Sequence, residues 1–281
     1  MQQATAGCLA RIPRQHSASP VRPTRAERMI DMLLAASGGL AVAFSLALVG
    51  GGGSILATPF LAYVIGLPPH AAIGTSAVGV GANAAIGLFG KARDGAVSWS
   101  CGLTFAAAGV TGAVAGAAAG KATDGEMLLG FFALLMLVVA TLMLRRKERP
   151  PGGEIRLGRH NVLQLLGYGL GTGLLAGFFG IGGGFLIVPG LMAATAMPIF
   201  NAMATSLVGV TALGATTATS YAFSGLVDWG VAAAFIAGGF IGSALGQRLA
   251  KRLAVRKGAL TRIFAALIYA VAAYMLWRWA S

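Results

Sequence analysis

Hydrophobic residues dominate the chain in long runs, and polar residues fall between these runs. After Met29, apolar segments occupy about 30–66, 71–90, 97–120 and 127–144, then about 162–197, 199–223, 229–247 and 259–280. A helix that crosses a bilayer needs about 20 apolar residues, so each shorter segment is long enough to cross once. Since the segments lack the two-residue alternation of barrel strands, the pattern predicts an all-α, polytopic integral membrane protein.

The first segment of each series is too long for one straight crossing. Residues 30–66 would form a helix of about 55 Å, whereas the hydrocarbon core is about 30 Å thick. Glycines interrupt both segments, at Gly50–Gly53 and at Gly182–Gly184. Each segment is either broken there into a re-entrant pair or two short spans, or is one tilted, overlong helix. We favour helices broken at the glycine-rich tracts, within a total of about 8 (up to 10) transmembrane helical segments.

An internal repeat relates the two series. An offset of 130 positions aligns residues that shared Ala/Gly composition does not explain, namely Pro59 with Pro189, Thr75-Ser76 with Thr205-Ser206, and Trp99 with Trp229. We predict two homologous membrane repeats, 29–144 and 162–281, separated by a polar linker loop at 145–161. Internal repeats of this kind are the usual construction of secondary transporters.

A basic arm at 1–28 precedes the first repeat. It carries five arginines and no acidic residue before Glu27. A presequence has this composition. We interpret the arm instead as a disordered tail, or as an upstream start with the true start at Met29.

The charge pattern bears on both class and topology. The net charge is +13, but only 10% of residues are charged, and the cations cluster between apolar runs as in membrane-protein loops. With the arm left out, inverted repeats place 14 Lys/Arg inside and 2 outside, whereas parallel repeats place 9 and 7. The positive-inside rule therefore favours inverted repeats.

The matched glycine tracts indicate where a substrate would bind. Interrupted segments at corresponding places mark binding sites in transporters. The helix that resumes after each break, from about Ser54 and about Phe185, presents unpaired N–H groups and a positive dipole end, which suits an anion. The alternative is that the glycines only permit close helix crossing. The predicted substrate-binding residues are Gly52, Gly53, Ser54, Thr75, Ser76, Gly182, Gly183, Gly184, Thr205 and Ser206, with helix-break support from Pro59 and Pro189.

Other small and polar residues have two interpretations each. The Thr-Ser pairs either coordinate the anion or bond back to their own helix. Asn83 is either a helix–helix link or part of a cavity lining. Residues 211–224 are rich in Thr and Ser, which suits a hydrated wall. The spacing of Gly112, Gly116 and Gly120, and of Gly242 and Gly246, favours helix packing.

Several chemistries have no residues to support them. All eight acidic residues lie at segment ends or in loops, which disfavours a carboxylate-type proton antiporter or a cation channel. The sequence contains no metal-ligand spacing and no GxxxxGK[ST] phosphate loop. We therefore expect no metal, no cofactor and no enzymatic activity.

The duplicated motif Gly-x-Gly-Gly-Gly-(apolar)₄-Pro-x-Leu, followed by Ala-x-x-Thr-Ser, resembles the TauE/SafE family of sulfite and organosulfonate exporters. The second copy fits at Gly180, Gly182–Gly184, Pro189, Leu191 and 202–206, and the first departs by Gly51 at the x position and Ser54 for the last glycine. The resemblance implies a multi-pass permease of the bacterial cell (inner) membrane whose family substrates are sulfite, sulfoacetate and related anions.

The sequence therefore predicts a secondary transporter (permease) that exports a small sulfur-containing anion such as sulfite or an organosulfonate. Its expected partners are that anion and the lipid bilayer, and not nucleic acid; homo-oligomerisation is left open. The alternatives are an anion channel, an uptake permease for another small anion, or a non-transporting membrane assembly or sensor subunit.

Overall fold

The computed structural model describes residues 25–49, 54–145, 159–180, 184–195, 197, 199–253 and 259–280. Ten helices lie in these ranges: α1 (Arg25–Val49), α2 (Ala57–Tyr63), α3 (Pro69–Arg93), α4 (Trp99–Ala122), α5 (Gly125–Arg145), α6 (Arg159–Phe179), α7 (Gly184–Thr195), α8 (Ile199–Phe223), α9 (Trp229–Leu253) and α10 (Ala259–Ala280). Because α1 begins at Arg25, the end of the predicted arm is helical, and the rest of the arm lies outside the described residues. α5 ends at Arg145 and α6 begins at Arg159, so both ends of the predicted linker are helical, and its interior lies outside the described residues.

Within the described ranges, seven helices are long and apolar enough to cross a membrane, namely α1, α3, α4, α5, α6, α8 and α9. The prediction of an all-helical polytopic membrane protein is confirmed. Two helices, α2 and α7, have only 7 and 12 residues and are too short to cross. Each of them follows a glycine tract.

The two long apolar segments are broken at these tracts, as predicted. α1 ends at Val49, and the chain resumes at Ser54 with a 3₁₀ turn that leads into α2. In the second half α6 ends at Phe179, and Gly180 has a φ of 66°, a left-handed conformation that glycine adopts readily at helix ends. The tract interiors, 50–53 and 181–183, lie outside the described residues.

The chain doubles back at each break. Phe60 of α2 lies against Gly38 of α1, although the two residues stand on opposite sides of the first break. Gly190 of α7 lies in the same way beside Thr172 of α6. α2 therefore runs back along α1, and α7 runs back along α6. The structure has two re-entrant hairpins where the sequence left open a tilted, overlong helix.

Spanning helices of one half pack on helices of the other half. α1 lies along α9 and α6 lies along α4, with glycines of one helix against backbone carbonyls of its neighbour. Small residues allow this close approach in membranes. The contacts recur at the 130-residue offset, with Gly242 against Leu40 and Gly246 against Phe44 in one pair, and Gly112 against Leu170 and Gly116 against Leu174 in the other.

α3 and α8 are the most buried of the seven spanning helices, and they cross in opposite directions. Gly81 packs against Gly214 at the crossing, and Gly74 near the start of α3 lies against Tyr221 near the end of α8. The predicted repeat makes these two helices equivalent. Equivalent helices run antiparallel when one half is inverted relative to the other, so this is the direction that inverted repeats predict. The duplication itself stays a prediction.

Candidate functional site

A cluster of hydroxyls lies where the first hairpin, α3 and the end of α6 meet. Ser76 Oγ on α3 is 2.9 Å from Thr58 Oγ1 on α2. The same Oγ is 2.9 Å from the carbonyl oxygen of Ile73 and 3.4 Å from that of Gly180, which follows α6. α2 and α3 of the first half and the end of α6 in the second half therefore all contribute to this polar cluster.

This cluster is shielded by apolar side chains. Thr58 and Ser76 are at most 1% exposed, and Ser54, four residues before Thr58, is also buried. Ile55 and Ile73 are also buried, within one apolar cluster that includes Phe179 at the end of α6. Buried hydroxyls are held in place by their hydrogen bonds, so the positions of these donors are defined by the packing of the helices.

The second half presents a different set of groups. Ser206 Oγ donates to the carbonyl oxygen of Met203 at 2.8 Å, as Ser76 does to that of Ile73. The position equivalent to Thr58 is Val188, so the second half has no matching hydroxyl pair. Gly184 is buried and begins α7. The hairpins are alike in backbone but not in polar chemistry.

The two threonines of the predicted site reach across the molecule. Thr75 Oγ1 accepts the backbone N–H of Asp228 at 3.0 Å, and Thr205 Oγ1 accepts that of Ser98 at 3.0 Å. Asp228 and Ser98 directly precede α9 and α4. Each threonine therefore holds the start of a helix from the other half, while the serine beside it bonds back to its own helix.

The remaining predicted site residues divide into two groups. Four glycines, Gly52, Gly53, Gly182 and Gly183, lie outside the described residues. Pro59 lies in the first turn of α2, where a backbone N–H has no intrahelical acceptor, so it starts this helix and removes no hydrogen bond from it. Pro189 lies inside α7, where it does remove one.

The sequence pattern does not single out Thr58 or Gly180 as site residues. Thr58 immediately precedes Pro59, but the repeat comparison hides it because its counterpart is Val188. Gly180 belongs to the duplicated motif, yet its position against Ile73 and its carbonyl beside Ser76 depend on how α6 meets α3. No local pattern could have indicated these contacts.

The charges inside the described part of the protein are cationic. Of the acidic residues whose exposure is described, none is buried. Lys91, in the last turn of α3, is only 7% exposed. Lys121 donates to the Ser220 carbonyl at 3.2 Å and to Ser224 Oγ at 3.1 Å, next to the end of α8. Among the residues whose exposure is described, the buried charged side chain is therefore a cation, Lys91.

An apolar groove of about 610 Å³ lies between α3 and α8, and alanines form much of its lining. Thr211 and Thr219 also line it, but their hydroxyls donate to the carbonyls of Leu207 and Ala215 in their own helix. The groove therefore gives no support to the hydrated wall expected at 211–224.

The fold and the site together define a multi-pass helical membrane protein with paired re-entrant hairpins. The family model described as Sulfite exporter TauE/SafE matches residues 35–275, and the chain belongs to this family. A probable membrane transporter protein of Xylella fastidiosa (strain 9a5c) is 48% identical over 251 residues, which cover 87% of this chain and 95% of that protein. Another, from Bacillus subtilis (strain 168), is 28% identical over 228 residues, which cover 73% and 84%. No solved structure matches the chain significantly. The protein is a membrane transporter.

Proposed function

We propose that this transporter exports a small sulfur-containing oxyanion, such as sulfite or an organosulfonate, across the bacterial inner membrane. The observation that carries the proposal is the buried Thr58–Ser76 hydroxyl pair at the Gly180 carbonyl, where the first hairpin meets the break of the second. The sulfur chemistry rests on membership of the TauE/SafE family.

The proposed coordination uses neutral donors. The hydroxyls of Ser54, Thr58, Ser76 and Ser206 would donate to the oxyanion. Ser76 and Ser206 would exchange the bonds that they make to the carbonyls of Ile73 and Met203 for bonds to the substrate. Backbone N–H groups of the glycine tracts and of Gly184 at the start of α7 would add further donors, because helix N-termini favour anions. Thr75 and Thr205 act as positioning residues in this scheme, since their oxygens already accept N–H groups from the other half.

The proposed movement is an alternating exposure of this site to the two faces of the membrane. α2 and α7 have only 7 and 12 residues, so each can shift against α3 or α8 without moving a whole spanning helix. A carrier of this kind saturates with substrate because each cycle passes through a bound state. A channel built on the same scaffold would not saturate.

The test is sulfite flux into proteoliposomes that contain the purified protein. We expect saturable flux, and we expect Ser76→Ala to weaken the apparent affinity at least about tenfold, because a hydrogen bond to a charged group contributes about 1.5–3 kcal/mol. Ser37→Ala is the matched control, since the exposed Ser37 hydroxyl only bonds back to Leu34 of α1.

Each unfavourable outcome rejects a different part of the proposal. Absence of sulfite or sulfoacetate flux from the wild-type protein rejects the substrate class. Flux that rises without saturation identifies a channel. Unchanged affinity in Ser76→Ala shows that the anion binds elsewhere.

A further inference from the structure

The buried polar side-chain atoms that lack a hydrogen-bond partner follow a pattern. Among the residues that the structure describes, they belong to Asn83, Thr217 and Tyr221. Positions 83, 87 and 91 share one face of α3, because they are spaced by four residues. Positions 213, 217 and 221 are their counterparts on α8 at the 130-residue offset. We call these two sets the α3 seam and the α8 seam.

The α3 seam packs closely against α9. A Cβ at Gly239 of α9 would collide with the Asn83 amide, and a Cβ at Gly90 would collide with the Gln247 amide. Between these contacts lies a small cavity whose polar lining is Asn83, Lys91, Ser243 and Gln247. In this conformation the cavity is too narrow to hold a water molecule.

Asn83 does not link helices through hydrogen bonds, although that was one interpretation of its place in an apolar span. It is 0% exposed, and neither its Nδ2 nor its Oδ1 has a partner. Burying an amide without a partner destabilises a fold, so such a group calls for a functional explanation. An occupant that accepts hydrogen bonds in another conformation would satisfy the Nδ2 donors.

The chemistry of the cavity selects an anion. Lys91 contributes a positive charge, the amides of Asn83 and Gln247 contribute N–H donors, and no acidic residue lines the cavity. The α8 seam carries Leu213 in place of Asn83 and Tyr221 in place of Lys91. The α8 seam therefore keeps the polar Thr217 and Tyr221 but has neither the amide nor the cation of the α3 seam.

The same cavity adjoins the hairpin region of the proposed transport site. Leu46 and Ala47, near the end of α1 and just before the first glycine tract, form part of its wall. Leu207, which follows Ser206, forms another part. The cavity wall is therefore only one residue along α8 from Ser206 of the proposed transport site.

We propose that Asn83, Lys91 and Gln247 form a second anion-binding site, which receives a small oxyanion at the Lys91 end of α3 and passes it to Ser206. This inference rests on the proposed function, because the ligand is the transported anion. The positive-inside prediction places this end in the cytoplasm, so the site would load the exporter. The α8 seam has no equivalent, and the apparent affinity should therefore differ between the two membrane faces.

The test compares Asn83→Leu and Lys91→Gln with the wild-type protein. Leucine already occupies the equivalent position on α8, as Leu213, so it suits a helix seam of this kind. Initial sulfite rates are measured in inverted and right-side-out membrane vesicles. We expect the KM at the Lys91 face to rise about tenfold or more in both variants, and the KM at the other face to change little. Thr217→Val on the α8 seam is the matched control and should leave the KM at the Lys91 face unchanged.

Thermal shifts of the purified proteins with sulfite, sulfate or chloride provide a second readout, since a ligand that binds the native state raises its melting temperature. Loss of the sulfite shift in Asn83→Leu but not in Thr217→Val supports the site. The inference is overturned if Asn83→Leu and Lys91→Gln both keep the wild-type KM and the wild-type thermal shift. Sulfite transport itself would then remain established. If the wild-type protein neither transports nor binds sulfite, the proposed function is rejected. The second site is still supported in that case if sulfate or chloride raises the melting temperature and Asn83→Leu abolishes this effect.

Discussion

At the residue scale, adjacent hydroxyls in this protein have separate roles. Thr75 accepts the N–H of Asp228, and the Asp228 carboxylate in turn accepts the N–H of Val231 at 3.0 Å, inside the first turn of α9. The start of α9 is therefore held both by its own cap and by a residue of the other half. Ser76 faces the hydroxyl cluster instead. Within this Thr-Ser pair, Thr75 therefore positions the start of α9 and Ser76 contributes to the candidate site.

We predict that Thr75→Val lowers the stability of the folded protein by about 1–3 kcal/mol, because the partly buried N–H of Asp228 loses its acceptor. Thermal unfolding of the detergent-solubilised protein measures the effect, and Thr205→Val should behave in the same way through Ser98. Thr104→Val is the control, since the exposed Thr104 hydroxyl only bonds back to Ser100. Equal melting temperatures for all these variants would contradict a role in holding the helix starts.

At the element scale, the glycines of this chain have two distinct functions. Gly180, with its positive φ, ends α6 and lets the chain turn back, which makes the second hairpin. Gly112 and Gly116 have no such backbone requirement, and they bring α4 into backbone contact with α6. Hydrophobic burial does not drive helices together inside lipid, so this close packing contributes to their association.

We predict that Gly112→Ala destabilises the protein, because its Cβ would meet the Leu170 carbonyl and the Leu174 N–H region and would push α6 away from α4. The overpacking should cost about 1–3 kcal/mol, which exceeds the gain of about 1 kcal/mol from helix propensity. Gly171→Ala is the control, since a Cβ there meets nothing within 4 Å. The melting temperatures of the two variants are compared in the same detergent. If Gly112→Ala is as stable as Gly171→Ala, α4 and α6 can move apart at this contact without loss of stability.

At the scale of the whole molecule, the two halves are interlocked. α1 of the first half packs on α9 of the second, and α6 of the second packs on α4 of the first. Neither half could keep these contacts alone, so we expect the halves to fold as one unit. α3 and α8 cross in an antiparallel orientation at the contact between the two halves.

We predict that the turns after α3 and after α8 lie on opposite faces of the membrane. Asp94 and Ser224 occupy equivalent places in these turns, and both are exposed. Single cysteines there, in a protein with Cys8 and Cys101 replaced by alanine, should react with a membrane-impermeant maleimide from opposite sides. Intact cells and inverted vesicles supply the two orientations. Labelling of both positions from one side would establish parallel repeats and reject the inverted arrangement.

Local properties of the sequence were sufficient to predict the spanning helices and the two places where they are interrupted. Hydropathy over about 20 residues predicts a spanning helix, because lipid requires every backbone hydrogen bond to be made within the segment. Glycine tracts inside overlong apolar runs likewise indicated the two breaks, since the mismatch with membrane thickness depends only on length. The motif around Gly180–Leu191 was sufficient for the family.

Only the tertiary structure decided which side chains meet. Thr58, Ser76 and Gly180 come from α2, α3 and the end of α6, and their meeting depends on how separate helices pack. The Asn83 cavity likewise needs Gln247 from α9, far along the chain. A hydropathy pattern indicates which face of a helix is buried, but it does not indicate which other helix packs on that face. The polar sites of this transporter therefore arise from contacts between distant segments, which no single segment encodes.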